Sequence, residues 1–386
     1  MGTRDRASLI GFALFWVVLG AGCWIGIMVA RSAGLGNGPA TGVHASSTRS
    51  RTHHHAAVPS SGALSISSIF ASSARSLRGY DPHKLRTLIA TGDVIPARTV
   101  NYMMVTRNDF LYPFRPTAAY LRTSDITLVN LESPLIAGCA VTVEGMSFCG
   151  DPRATQGLKF AGVDVACTAN NHIGNYGWPA IRETWQHLAE AGIQHCGLGD
   201  VAYRTVRGLR FAFLAFNAVG ERFDYPTSRA EIREARKHAD VVVVSVHWGK
   251  EYVAMPQIAP GIADDNPRKI AHWIVDSGAD LVIGNHPHHV QGVELYRGRL
   301  IAYAHGNFAF DQMFTVSGCP GDANYFCTTR EGVVGTYTFY GKKLIAVRYR
   351  SVVIYNYAQP RWAGPKISAA IMSGMKAASI SLSKLG

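Results

Sequence analysis

From Lys84 onward the chain alternates short apolar runs with longer amphipathic stretches. Five of the runs share one form. "TLIATGD" ends at Asp93, "ITLVNLE" at Asn130 and Glu132, and "VDVACTANNH" at Asn170, Asn171 and His172. "DVVVVSVHWGKEY" ends at His247 and Glu251, and "DLVIGNHPHH" at His286, His288 and His289. Runs this apolar predict strands buried on both faces. Between them, "WPAIRETWQHLAEAG" and "PRKIAHWIVDSGA" carry helical periodicity, with Pro179 placed in the first turn of the former. Strand and helix in alternation imply an α/β core. Further on, "GVVGTYTFY" and "KLIAVRYRSVVIYNY" alternate like half-exposed antiparallel strands. No internal repeat is evident.

The first 83 residues read differently. Residues 7–30 contain no charge, and the 22 residues from 9 to 30 would reach about 33 Å as a helix, enough to span a bilayer. Arg4 and Arg6 precede this segment and Arg31 follows it, which orients the N-terminus weakly to the cytoplasm. A cleaved signal peptide is the alternative; the length of the apolar core and the lack of a clean A-x-A site favour an uncleaved anchor. Cys23 hints at a lipoprotein site, but the apolar run continues past it. Residues 32–83, rich in Gly, Ser, Ala and Thr, read as a flexible tether in which His53, His54 and His55 are solvated. The expected organisation is anchor 1–31, tether 32–83, folded domain 84–360 and C-terminal tail 361–386.

Composition adds three constraints. The chain has 386 residues, 47% hydrophobic and 17% charged, which suits a folded core. Its net charge is +12, and half of that sits in the first 80 residues, where seven arginines face one aspartate. Such a basic tail suits anionic lipid or an anionic polymer; no basic patch interleaved with aromatics points to nucleic acid. Of seven cysteines, Cys139 and Cys149, like Cys319 and Cys327, flank short loops and read as disulfides of an oxidising space, the alternative being free thiols in a cytosolic domain. Cys167 and Cys196 end neighbouring candidate strands and read as buried free thiols. No CxxC spacing supports a cysteine zinc site, and neither a GxxxxGK[ST] loop nor a G-x-S-x-G elbow is present.

In open α/β sheets ligands bind beyond the carboxyl ends of the strands. One histidine after one strand would be ordinary. Five strand ends that each deliver Asp, Glu, Asn or His point to a metal centre. Mixed imidazole and carboxylate donors suit Zn, Mn, Fe or Ni. Two such ions about 3.5–4 Å apart bind a phosphoryl group and a hydroxide together, the arrangement used for phosphoester hydrolysis.

The blocks "GDV", "LVNLESPL", "ANNHIGNYG", "HWGKEY" and "GNHPHHVQGVELYRGRLIAYAHGNFAFDQ" resemble the poly-γ-glutamate capsule-synthesis (CapA) family, of the calcineurin-like metallophosphoesterase superfamily. The resemblance covers residues 88–312. It implies a four-layer α/β/β/α sandwich for the folded domain, which the N-terminal segment read above would hold outside the membrane on a single transmembrane helix. It also implies one or two divalent ions, Mn, Zn or Fe foremost. By this resemblance Asp93 binds the first metal, Glu132 bridges, His247 and His286 bind the second, His288 returns to the first, and Asn171 matches the metal-binding Asn of the "GNH" block. His172 matches the general acid or transition-state stabiliser. Arg98, five residues after Asp93, suits an anionic substrate or is a surface charge.

Three departures bear on competence. Ile95 stands where the superfamily's D-x-H block has histidine, Asn175 where CapA-like proteins usually have aspartate, and His305 where an apolar residue is common. His305 and Glu251 are expected to support ligands rather than to ligate. Two functions stay open. One is a membrane-anchored hydrolase of phosphoester type in capsule biosynthesis, with hydroxide held by the metals as nucleophile. The other is a non-catalytic accessory that binds anionic polymer such as poly-γ-glutamate beside ligase and exporter subunits. A metal-free structural surface protein is a third.

Overall fold

The computed structural model describes residues 63–71, 76–312 and 329–385; the apolar segment 7–30, the histidine triplet 53–55 and the Cys319/Cys327 pair lie outside the described residues. Among the described residues no helix is long and apolar enough to cross a membrane.

The strands form two sheets. Four parallel strands come first: β1 (Leu85–Val94), β2 (Ile126–Leu131), β3 (Val165–Cys167) and β4 (Gln194–Cys196). The chain then builds a second sheet from β5 (Ala202–Val206), β6 (Leu209–Asn217), β7 (Val241–His247), β8 (Leu281–Asn285), β9 (Val293–Tyr296) and β10 (Arg299–Ala302). It returns to the first sheet with β11 (Asn307–Ala309), β12 (Glu331–Tyr340), β13 (Lys343–Tyr355) and β14 (Gln359–Trp362). The first sheet is ordered β14-β13-β12-β1-β2-β3-β4, with β11 also paired to β1; the second is ordered β5-β6-β7-β8-β10-β9. The mixed α/β class expected from the sequence is therefore present, and each of the five apolar runs contains a strand. In the first sheet the parallel strands β1–β4 form one half, ending at the edge strand β4, and in the second the parallel strands hold the centre; β5, β9, β12, β13 and β14 add antiparallel pairs.

Alternation along β1 shows how the sheets pack. Leu88 and Ala90 lie in the apolar layer between the sheets with Leu128, Phe211, Phe213, Val243 and Ile283. Ile89 points the other way, with Val129 and Ala166, onto Val100 and Met104 of the helix Arg98–Arg107 and onto Leu158. On the far side Val242, Val244 and Val282 meet Ile232, Ile270 and Ile274 of the helices Tyr225–His238 and Pro267–Ser277. Burying an aliphatic side chain of this kind contributes about 1.5–3 kcal/mol, so three continuous layers explain why the strands show few polar positions until their ends. Helix boundaries follow their caps. Asn266 accepts from the backbone N–H groups of Arg268 and Lys269, Pro267 opens the helix, and Gly278 (φ +125°) ends it. The predicted helix around Pro179 spans Gly177–Glu190, with Pro179 in its first turn.

Two segments depart from expectation. Residues 66–69, inside the expected tether, form a helical turn closed by a capping box at Ser65 and Ser68. Ile69 is buried, and Leu64, Ile66 and Phe70 pack on the inter-sheet layer. The expected C-terminal tail contains the helix Pro365–Ser383. Its Ile371 and Met375 join the same layer, and Ser379 Oγ accepts from the Val293 backbone N–H at 2.8 Å, satisfying a donor of β9. Both segments cover apolar surface that the strands alone would leave wet.

Candidate metal centre

Register brings the polar strand ends together. In the first sheet Asp93 pairs with Asn130 of β2 on one side and with Asn307 of β11 on the other, and Asn130 pairs with Cys167. In the second, His247 pairs with Asn217 and Asn285. Two rows of polar side chains thus end the two sheets at one place. Asp93 is fixed there by its own backbone N–H, which donates to the Gly306 carbonyl at 2.9 Å.

The loops that leave these ends add the rest. After β8 the chain turns through "HPHH" with His286 at φ +93° and His288 at φ +50°. Left-handed backbone is costly for residues with a Cβ and concentrates at functional sites. Gly284 makes the approach possible, since a Cβ there would fall on the Tyr303 carbonyl and the Trp248 indole. His286 N–H donates to Asp93 Oδ2 (3.3 Å), and His288 Nδ1 lies 3.3 Å from the same oxygen and 2.9 Å from Asn307 Oδ1.

Of the residues singled out in the sequence, Asp93, Glu132, His247, His286 and His288 are all at most 3% exposed and form two overlapping groups. Potential ligand atoms of Asp93, Glu132 and His247 lie within 4.8 Å of one another, as do those of Glu132, His286 and His288. Glu132 is common to both. Asn171 reaches the cluster through Oδ1, 2.8 Å from His247 Nε2. Glu251, half-exposed at the rim, holds Oε1 4.0 Å from the Nε2 atoms of His286 and His288.

Burial sorts the charges. It pushes Glu132 well above the usual carboxylate range, helped by the negative Asp93. Burial also pushes Asp93 up, but the His288 hydrogen bond and neighbouring imidazoles bring it below its ordinary value. His247 falls to about 3 and His286 well below its usual value, both through burial. Burial works on His288 too, yet the Asp93 hydrogen bond and the Glu132 charge raise it to about 9.

The donor set fits a divalent ion. Both ring nitrogens of His286, Nδ1 of His247 and Oε1 of Glu132 are buried without a hydrogen bond, although Glu132 Oε1 lies 3.2 Å from His247 Nε2. Orphaned buried polar atoms are costly, and four in one cluster of carboxylates and imidazoles match the preference of Zn, Mn or Fe.

His172 sits beside the cluster, stacked on Phe148 with ring centroids 4.0 Å apart. Asn175 Oδ1 accepts from the Phe148 backbone N–H (2.7 Å) and lies 3.0 Å from His172 Nδ1. Because that atom already accepts, it is the amide oxygen, and His172 donates to it from Nδ1. Burial lowers His172 to about 4, so the neutral ring presents a bare Nε2. Arg98 does not lie free on the surface. It pairs with Asp311, donates to the Gly145 carbonyl at 3.1 Å, and lies over the Phe148 and Phe310 rings. Ile95 is fully buried with Phe148 and Phe310 in a small apolar cluster, so its position serves packing. His305 contacts the Thr91 carbonyl (3.2 Å) and Tyr337 hydroxyl (2.8 Å) and ties the strands behind Asp93 together.

Sequence reasoning assigned no role to three contributors. Asn130 Nδ2 donates to Asp93 Oδ1 (2.9 Å) and Glu132 Oε2 (3.3 Å), holding the carboxylates in place. Asn307 orients His288, and Phe148 carries His172. Asn130 was visible as a strand end. Phe148 was not, because its position depends on the loop closed by the Cys139–Cys149 disulfide, which the cysteine spacing did suggest.

Fold and site define a two-sheet α/β protein whose strand ends gather acids, amides and imidazoles into one buried cluster. A sequence profile described as "Bacterial capsule synthesis protein PGA_cap" matches residues 87–312, well over half of the chain, and the chain belongs to that family. It is 30% identical over 260 residues to "Capsule biosynthesis protein CapA" of Bacillus anthracis, covering 59% of this chain and 61% of that protein. It is 29% identical over 248 residues to "PGA biosynthesis protein CapA" of Bacillus subtilis (strain 168), covering 58% and 63%. The matched region thus spans about three fifths of these relatives' own length. Among solved structures, a hypothetical protein from Thermus thermophilus superposes with a TM-score of 0.42 at 18% identity, over 69% of this chain and 98% of that one.

Proposed function

We propose that this chain is a membrane-attached component of capsule or poly-γ-glutamate biosynthesis whose cluster binds one or two divalent ions and hydrolyses a phosphoester or related anionic bond. The observation that carries the reading is the pair of ligand groups sharing Glu132, with its buried, unsatisfied nitrogens and oxygen. Asp93, Glu132, Asn171, His247, His286 and His288 would hold the ions. When bound, they supply Lewis acidity and lower the pKa of coordinated water.

The chain's own residues set the rest. Asn130 keeps the two carboxylates from separating. His172, donating to Asn175 from Nδ1, offers Nε2 as an acceptor, so in its neutral form it takes or orients a proton rather than giving one. The layering of helices and two sheets is consistent with the four-layer superfamily architecture. The capsule role comes from the names of the relatives, the polymer's acidity from the poly-glutamate they are named for, and membrane attachment from the uncharged segment 7–30. An anionic polymer, a polymer ligase and an exporter are the corresponding partners.

One observation favours the accessory reading instead. Ile95 is built into an apolar cluster, which removes a ligand that D-x-H would provide. Elemental analysis of the full chain followed by turnover of an aryl phosphate with added Mn separates the two. Bound metal with turnover lost in His172→Ala supports the hydrolase. Bound metal, no turnover and affinity for poly-γ-glutamate supports the accessory. Absence of metal after loading overturns the hydrolase. A reporter fused after Gly386 tests the extracytoplasmic placement.

A further inference from the structure

Cys167 and Cys196 take no part in the centre described above. They are register partners on β3 and β4, 1% and 0% exposed, with Sγ atoms 3.2 Å apart. Neighbouring strands lie about 4.8 Å apart, inside the roughly 4.4–6.8 Å range of Cα separations that a disulfide accepts. Their place in the fold is specific. Cys167 continues the row of Asp93 and Asn130 along the first sheet. The loop that follows it carries Asn171 and His172, and its first residue, Thr168, donates from its backbone N–H to the Cys196 carbonyl at 2.9 Å. Ala169 from this loop and Leu198 and Gly199 from the loop after Cys196 share a wall of a cavity of about 350 Å³ that also reaches Asn217, which pairs with His247. The chain already holds the Cys139–Cys149 disulfide, so it is built for a setting in which thiols are oxidised.

We propose that Cys167 and Cys196 become a second disulfide, which clamps β3 to β4 beneath the loop bearing Asn171 and His172. The two thiols together lose two protons and two electrons. One thiolate attacks an oxidant of the disulfide class and releases its first thiol; the other cysteine then attacks the mixed disulfide, forming Cys167–Cys196 and releasing the second thiol. Burial raises the Cys196 thiol well above its ordinary value, which slows exchange in the closed sheet, so the bond forms before β3 and β4 are covered. The link fixes the relative height of the loops on which the cluster's rim and the cavity wall are built.

The test is a peptide map of the full chain, exported to an oxidising compartment and alkylated under denaturing, non-reducing conditions. Trypsin places Cys167 in residues 160–182 and Cys196 in residues 183–204, while Cys139 and Cys149 fall together in residues 123–153. The expected result is a covalent pair of the first two peptides, about 2 Da lighter than their sum, in protein whose 123–153 peptide is also oxidised. Recovery of Cys167 and Cys196 as alkylated thiols in such protein, or linked to other cysteines, would overturn the proposal.

Discussion

Asn130→Ala tests how the cluster is assembled. In the folded chain the Asn130 amide donates to Asp93 Oδ1 at 2.9 Å and Glu132 Oε2 at 3.3 Å, and its oxygen accepts from Asn170 Nδ2 at 3.2 Å. Both acids are fully buried, so no bulk water replaces the lost donor. A hydrogen bond to a charged group contributes about 1.5–3 kcal/mol. Glu132, pushed toward its neutral form by burial and Asp93, gives a weaker bond than Asp93, and together the two lost bonds destabilise the metal-free protein by about 3 kcal/mol. At roughly 2 °C per kcal/mol for a domain of this size, Tm falls by about 6 °C. The ligands also lose their orientation, for which the expected cost is about 10–100-fold in metal affinity. The assay is thermal unfolding of the stripped protein with and without Mn, paired with calorimetric titration of the ion. A Tm and an affinity both indistinguishable from wild type would refute the reasoning, since they would mean that the carboxylates keep their places without the amide.

Two further substitutions probe the surroundings. His305→Phe removes the partner of the Thr91 carbonyl and the Tyr337 hydroxyl; the expected outcome is a loss of about 1–3 kcal/mol of stability with metal stoichiometry unchanged, and a lost equivalent of metal would show His305 to be a ligand. Gly284→Ala places a methyl on the Tyr303 carbonyl and the Trp248 indole, both rigidly packed; the variant is expected to accumulate as insoluble protein, and a soluble variant with native circular dichroism would contradict the packing described around "GNHPHH".

How far the sequence could be read follows from the physics of each part. Runs such as "DVVVVSV" admit little but a strand buried on both faces, and the residues that end them must lie where the sheet ends. Asp93, Glu132, His247, His286 and His288 were legible for that reason. Cross-strand support was not, because it depends on register: nothing in "HGNF" says that Asn307 lies beside Asp93. That Arg98 pairs with Asp311, more than two hundred residues away, was likewise hidden, because only the fold brings the two together. The helix Pro365–Ser383 escaped because Ser, Ala and Gly dilute its apolar face, and because one of its partners, β9, is distant in sequence. Residues 66–69 were hidden in a stretch whose average composition is that of a tether, although four apolar side chains there suffice to dock a single turn.

The most direct test of the central claim is anomalous diffraction from crystals of the full chain grown with Mn. The expected result is a peak within about 2.0–2.3 Å of a Glu132 oxygen, shared with His286 and His288 or with Asp93 and His247. Crystals saturated with Mn that show no peak at Glu132 would contradict it.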